Sequence, residues 1–341
     1  MTKVTIFTNK KKTIAFIMLI LFLFYSCKSN PLDVQLTHPE PSVEFVNVDK
    51  ELLTLPKEEM TSKIHELDMK LGDLFIYELS HNLQQNMNDS SYHLVYDFYH
   101  SEYIQEIEKE KQKILEELPK HEKRINKAFH YFAYHFGDSL LPQHLFYMNK
   151  LFTQITCSNQ AIAVGLESYI SPESEIVRSI PGEQFYQWQR NRMDVKYLER
   201  DVLLAWIQVQ LFNDIDGNLA EHLVQAGKVL YLLNAMFPNE SEAYILRYSE
   251  EAYHWAYENE RAVWNYLVAE QMLFKSDEKT KVNFLNEGPK TVGLADDAPD
   301  RVGQYLGYKI VKGYMQKNKT LSLEELIETQ YNKILQTYEI K

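Results

Sequence analysis

The stretch HLFYMNKLFTQITCSNQAIAVGLESYI, residues 144–170, decides the fold class. It is rich in Phe, Tyr, Ile, Thr and Val, residues that suit a pleated, half-buried surface. Ser158-Asn159-Gln160 reads as a turn. The spacing predicts two strands, near 144–156 and 161–169, joined as a hairpin.

Working outward, the rest of the chain has helical period. Upstream, residues 57–83 place Ile64, Leu67, Leu71, Leu74 and Leu79 at helix spacing, with Gly72 weakening the middle. Residues 102–118 carry Ile104, Ile107, Ile114, Leu115 and Leu118 on one side of a highly charged helix. Pro119 suits the first turn of a following helix that runs to about Phe136. Downstream, helices are expected over 194–213, 218–237, 240–257, 259–275, 278–286, 299–317 and 322–337. The expected class is mainly α with a small β hairpin or sheet (α+β). There is no period of 20–50 residues and no low-complexity linker after Pro41, so 42–341 reads as a single globular domain. If it has lobes, they divide as 42–143 and 144–341.

The N-terminus carries Lys3, Lys10, Lys11 and Lys12, then an apolar segment from Thr13 to Tyr25. That order is a secretory signal, and the apolar run is well short of the ~20 residues of a spanning helix. It ends at Ser26-Cys27, which resembles a bacterial lipoprotein signal: residues 1–26 are removed and Cys27 takes the acyl chains. Residues 27–41 then read as a lipidated tether, with three prolines between Asn30 and Pro41. No acidic run follows Cys27, which favours the periplasmic face of the outer membrane over the cell surface. Losing four lysines and no acid takes the net charge from −12 to −16. Such a surface repels nucleic acid. The second cysteine, Cys157, then has no disulfide partner and reads as a core or strand-end residue.

Motifs for chemistry are sparse. An HExxH zinc site needs two histidines one turn apart and a glutamate base. HELDM at His65 and HEKRI at His121 both lack the second histidine. His254 and Glu258 stand at i,i+4, but two ligands do not make a site. DIDGN, residues 214–218, lacks the closing glutamate of a calcium loop and reads as a helix break and N-cap. Neither G-x-S-x-G, Walker A nor G-x-G-x-x-G occurs. No metal or cofactor is expected. Gly303 and Gly307 share a helix face, where each costs ~1 kcal/mol against alanine, so close packing of another backbone is expected there.

GKVLYLLNAMFP (227–238), NERAVWNYLVAEQMLFKSD (259–277), NEGPKT (286–291) and APDRVGQYLGYKIVKGYM (298–315) come in that order. Together they resemble the gliding-motility lipoprotein family GldB of Bacteroidota. AVGLESYI and RNRMDVKYLERDVLLAW fit its middle region, so the likeness covers roughly 145–337 and the lipoprotein start. Gly227, Lys228, Glu260, Trp264, Pro299, Gly303 and Gly307 are the motif residues it singles out, as structural positions. The resemblance implies a non-enzymatic envelope lipoprotein of the gliding machinery, linked to type IX secretion. Its partners would be the membrane, through the lipid, and other envelope proteins. The layout of strand hairpin, helix and glutamate-bearing helix is also similar to predicted zinc peptidases. There the metal helix would fall near HLVQAGKVLY, but residues 223–227 read LVQAG. His222 is a stray histidine, and Glu260 reads as the descendant of a third ligand. On this reading the chain is a degenerate zincin-like scaffold. The alternatives are a metallopeptidase-like hydrolase with unrecognised ligands, separable by its metal content, and a surface glycan-binding lipoprotein, separable by glycan binding.

Overall fold

The computed structural model describes residues 30–88 and 90–339. Cys27 and the 1–26 signal segment lie outside the described residues. The chain divides after Val34. Of the first unit, residues 30–34 are described: a turn in which Asp33 N–H donates to the Asn30 carbonyl at 3.0 Å. Everything below concerns the unit that begins at Gln35.

In chain order its elements are β1 (Glu44–Asn47), α1 (Val48–Leu53), α2 (Met60–Leu71), α3 (Asp73–Leu83), α4 (His93–Tyr99) and the long α5 (Glu102–Phe136). β2 (His144–Tyr147), β3 (Ile155–Cys157) and β4 (Ala161–Val164) follow, then the short α6 (Glu175–Ser179) and α7 (Gln187–Arg190). The C-terminal half is α8 (Leu198–Leu211), α9 (Leu219–Met236), α10 (Glu242–Leu246), α11 (Glu250–Ala269), α12 (Glu278–Leu285), α13 (Val302–Lys317), α14 (Leu323–Glu328) and α15 (Tyr331–Leu335). The class is mainly α with one small sheet, as the sequence implies.

The sheet departs from a plain hairpin. Its order is β1-β2-β4-β3, with β1, β2 and β4 parallel and β3 antiparallel to β4. The expected strand over 144–156 breaks after Tyr147. β3, and not β2, is the hairpin partner of β4 across the 158–160 turn. β4 is buried along its whole length, which is why its sequence AIAV shows no alternation. β1 has no counterpart in the sequence reading, because four residues are too few to show a period.

Helix boundaries follow caps and packing. Ser101, Ser249, Asp277 and Ser322 each accept the N–H three residues on, fixing the starts of α5, α11, α12 and α14. α5 runs unbroken through Pro119, where two helices were expected. The buried stripe Ile114, Leu118, Ile125, Phe129, Phe132 stays in phase across the proline. Packing therefore outweighs the ~3 kcal/mol an interior proline costs. The segment 57–83 does split, at Gly72, whose φ is 72°. The break expected near Glu258 falls instead at Arg247, in left-handed conformation with φ 55°. The helix expected over 322–337 is two short ones, because Lys228 takes the carbonyls at the end of the first.

α9 is the central helix. From Gly227 to Met236 every residue is buried, the signature of a helix surrounded on all sides. It crosses α13 backbone to backbone. A Cβ on Gly307 would stand 1.9 Å from the Leu223 carbonyl oxygen, and one on Gly227 would stand 2.0 Å from the Gly307 carbonyl oxygen. Gly303 likewise faces the Phe284 carbonyl, 2.7 Å from where its Cβ would be. Gly313, on the same helix, meets nothing within 4 Å.

Two substitutions on α13 should therefore have opposite signs in urea unfolding. Gly307→Ala should cost about 3 kcal/mol or more by overpacking. Gly313→Ala should stabilise by about 0.5–1 kcal/mol through helix propensity. Equal effects at the two positions would contradict the crossing.

Candidate functional site

Three parallel strands end at the same edge of the sheet, and each delivers a charged residue there. Asp49 follows β1, Lys150 follows β2 and Glu167 follows β4. The carboxyl edge of parallel strands is where open α/β sheets place their sites. α3 adds Glu78 and Asn82, and α5 adds Glu108 and Lys111. All are buried; Glu167 and Lys150 are 0% exposed and Lys111 is 1% exposed.

Lys111 Nζ lies between Asp49 Oδ2, at 2.5 Å, and Glu108 Oε1. The other Asp49 oxygen accepts the Asn149 N–H at 2.8 Å. Glu167 Oε1 accepts two backbone N–H groups, from Lys150 at 2.6 Å and from Phe152 at 3.1 Å. Lys150 Nζ pairs with Glu78 and donates to Thr156 Oγ1 at 2.8 Å. Asn82 Nδ2 donates to the Asn149 carbonyl at 2.6 Å. Apart from the Lys111–Glu108 pair, each of these bonds ends on the loop after β2 or on a residue that holds it.

The loop is strained. Leu151 and Phe152 are both left-handed, with φ of 49° and 69°, a conformation that costs of order 1 kcal/mol or more per non-glycine residue. The Glu167 carboxylate offsets that cost by collecting the N–H groups the turn points inward. Gly165 lets the loop close down: a Cβ there would stand 2.6 Å from the Thr153 carbonyl oxygen and 2.9 Å from Glu167 Oε1.

The cluster holds four carboxylates, Asp49, Glu78, Glu108 and Glu167, against two ammonium groups. Burial pushes Glu108 up to about 7, with Lys111 opposing and Asp49 adding to the rise. Burial also raises Glu167, again against Lys111. Burial, then the Asp49 charge, raises the Tyr99 hydroxyl well above the usual range. Glu78 Oε1, Asn82 Oδ1, Asn149 Nδ2 and Ser168 Oγ make no hydrogen bond. Such a network costs stability, and its bonds hold the loop after β2.

Glu108 binds a proton more tightly folded than unfolded, so between about pH 4.5 and 7 the folded chain holds the extra proton and stability falls as pH rises. Glu108→Gln should flatten that fall. The difference in unfolding free energy between pH 5.5 and 8.5 should shrink by on the order of 2 kcal/mol. An unchanged slope would place the proton elsewhere.

The residues singled out from the sequence lie apart from this cluster. Gly227 and Gly307 form the α9–α13 crossing, and Gly303 packs against Phe284 of α12 and the Leu223 side chain. Lys228 Nζ donates to the Ile327 and Thr329 carbonyls, at 2.7 and 2.6 Å, capping the end of α14. Glu260 accepts the Tyr305 and Tyr338 hydroxyls, both at 2.7 Å. Trp264 meets the Tyr338 ring edge-on at 4.9 Å. Pro299 lies ahead of α13 and not in its first turn; its carbonyl accepts Thr291 N–H at 2.9 Å. α13 starts late because Arg301 is left-handed, φ 54°, and its guanidinium reaches back to the Leu246 carbonyl at 3.1 Å.

Asn218 caps α9, its Oδ1 accepting Glu221 N–H at 3.1 Å. His254 and Glu258 form an exposed pair at 3.0 Å. His121 Nδ1 lies 3.0 Å from buried Glu199. Burial pushes the Cys157 thiol up to about 12, which leaves it a poor nucleophile. Among the described residues no three His, Cys, Asp or Glu side chains gather as for a metal ion.

Sequence reasoning missed Asp49, Glu78, Glu108, Lys111, Lys150 and Glu167. The readable signal was slight. Glu167 follows an all-apolar strand, whereas Glu108 and Lys111 look like the solvated face of a charged helix.

The family model described as gliding motility protein GldB matches residues 29–340. No curated protein and no solved structure matches the chain. The family match reaches across the charged cluster and β1, well beyond the C-terminal motifs that carry the sequence resemblance. The chain belongs to the GldB family of gliding motility proteins.

Proposed function

We propose that this chain is a lipid-anchored component of the cell envelope that docks other proteins of the gliding machinery, with its associated secretion system, and does no chemistry of its own. One observation carries the non-enzymatic part. On the helix where a zinc peptidase would hold its ligands, Leu223 and Gly227 are in backbone contact with α13. That face of α9 is spent on packing. Glu260, read as the descendant of a third ligand, has each carboxylate oxygen taken by a tyrosine hydroxyl. These positions hold the C-terminal half together.

The anchoring part rests on the signal-like N-terminus and Cys27. No helix among the described residues is long and apolar enough to cross a membrane. In this reading the acyl chains on Cys27 supply the attachment, two or three of them making it stable. The acidic surface fits protein partners better than nucleic acid.

In cells fed a clickable palmitate analogue, the wild-type chain should be labelled and sediment with the outer membrane. Cys27→Ala should be unlabelled and released, and should lose the envelope proteins captured by crosslinking the wild type. Membrane retention of the Cys27→Ala chain with its crosslinks intact would overturn the anchoring.

A further inference from the structure

We infer that the groove between the outer face of α3 and the loop after β2 binds a neutral oligosaccharide chain. The groove has a volume of about 590 Å³, within the usual range for ligand sites of roughly 300–1,000 Å³. It is lined by Tyr77, His81, Gln84, Gln85, Asn86 and Leu151. Tyr77 and His81, one turn apart, lie with rings nearly parallel at 15° and centroids 6.4 Å apart. The pair is stacked, and Tyr77 is 58% exposed. A sugar ring presents its C–H face to an exposed aromatic ring such as Tyr77 and its hydroxyls to the amides beside it.

Charge selects the ligand class. A quarter of this chain is charged and its net charge is −12. Two other grooves reflect that, one with Glu51, Lys63 and Glu66 and one with Glu324, Glu325 and Lys333. Among the described residues no Asp, Glu, Lys or Arg lines the Tyr77 groove. An anion would meet the repulsion of the whole chain, and a cation would find no carboxylate. Neutral, hydroxyl-rich ligands suit amide donors and acceptors.

The groove is also held in shape. Gln84 on one wall is the left-handed C-cap of α3, and Leu151 on the other is strained, with φ of 49°. Strain of this kind collects at binding sites when the surroundings hold it in place. Here they do: the inner face of α3 ties the loop through Glu78 to Lys150 and Asn82 to the Asn149 carbonyl. Glu167 holds the loop backbone from below. The same helix thus supplies the aromatic pair on its outer face and the supports on its inner face.

The test is calorimetric titration of the detergent-solubilised full chain with chitohexaose, an N-acetylated probe of cell-wall type, and with maltohexaose, a plain glucan. It does not depend on Cys27. At least one probe should bind, and which one binds identifies the source. Tyr77→Ala and Leu151→Gly should each weaken binding at least tenfold, whereas Phe274→Ala, a remote exposed aromatic, should leave it unchanged. Both groove positions are partly exposed, so circular dichroism should confirm native folding. Two results would overturn the inference. One is no binding of either probe, or binding that Tyr77→Ala leaves intact. The other is loss of crosslinked protein neighbours in Tyr77→Ala while neither sugar binds, which would make the groove a protein-docking face.

Discussion

The close approach of α9 and α13 is the constraint on which the C-terminal half depends. Leu223, Gly227 and Gly307 bring two backbones to a separation that no side chain could share. The glycines cost helix propensity, and dispersion and burial along the crossing return it. Once α9 is set, its neighbours follow. Lys228 receives the end of α14, Asn234 accepts the Tyr308 hydroxyl at 2.9 Å, and Glu260 gathers Tyr305 and Tyr338. These positions serve to join helices.

The second half of the structure is organised around charge. Three short parallel strands aim their carboxyl ends into a space that α3 and α5 close. Desolvating four carboxylates and two ammonium groups is expensive, and the pairing is incomplete. What the network gains is shape: a left-handed turn after β2 is held at Leu151 and Phe152, next to a neutral groove. The two halves are complementary in kind. One gives rigidity by packing without side chains, the other by packing with buried charge.

The sequence disclosed the elements with strong period and little of what joins them. Helical spacing placed α5, α8, α9 and α13, because an amphipathic or apolar run is a local property. The small-residue face of α13 was readable for the same reason. The sheet order was not, since β1 and β2 are four residues each and pair across almost a hundred residues of chain. The charged cluster was hidden for a related reason. Lys111 on a charged helix looks like any solvated lysine until β1 brings Asp49 against it. Pro119 misled in the opposite direction: its local rule was sound, and a continuous buried stripe overrode it. The GldB resemblance was legible in the C-terminal motifs, which are the segments that build the α9 crossing.

Native-state hydrogen exchange of the amides from Leu223 to Leu233 probes the crossing most directly. If α9 is locked against α13, these amides should be among the slowest in the chain. Their exchange should follow global unfolding, with the same dependence on urea. Fast exchange through local opening of α9, at urea concentrations that leave the rest folded, would show a helix free to move and would contradict a scaffold built on that contact.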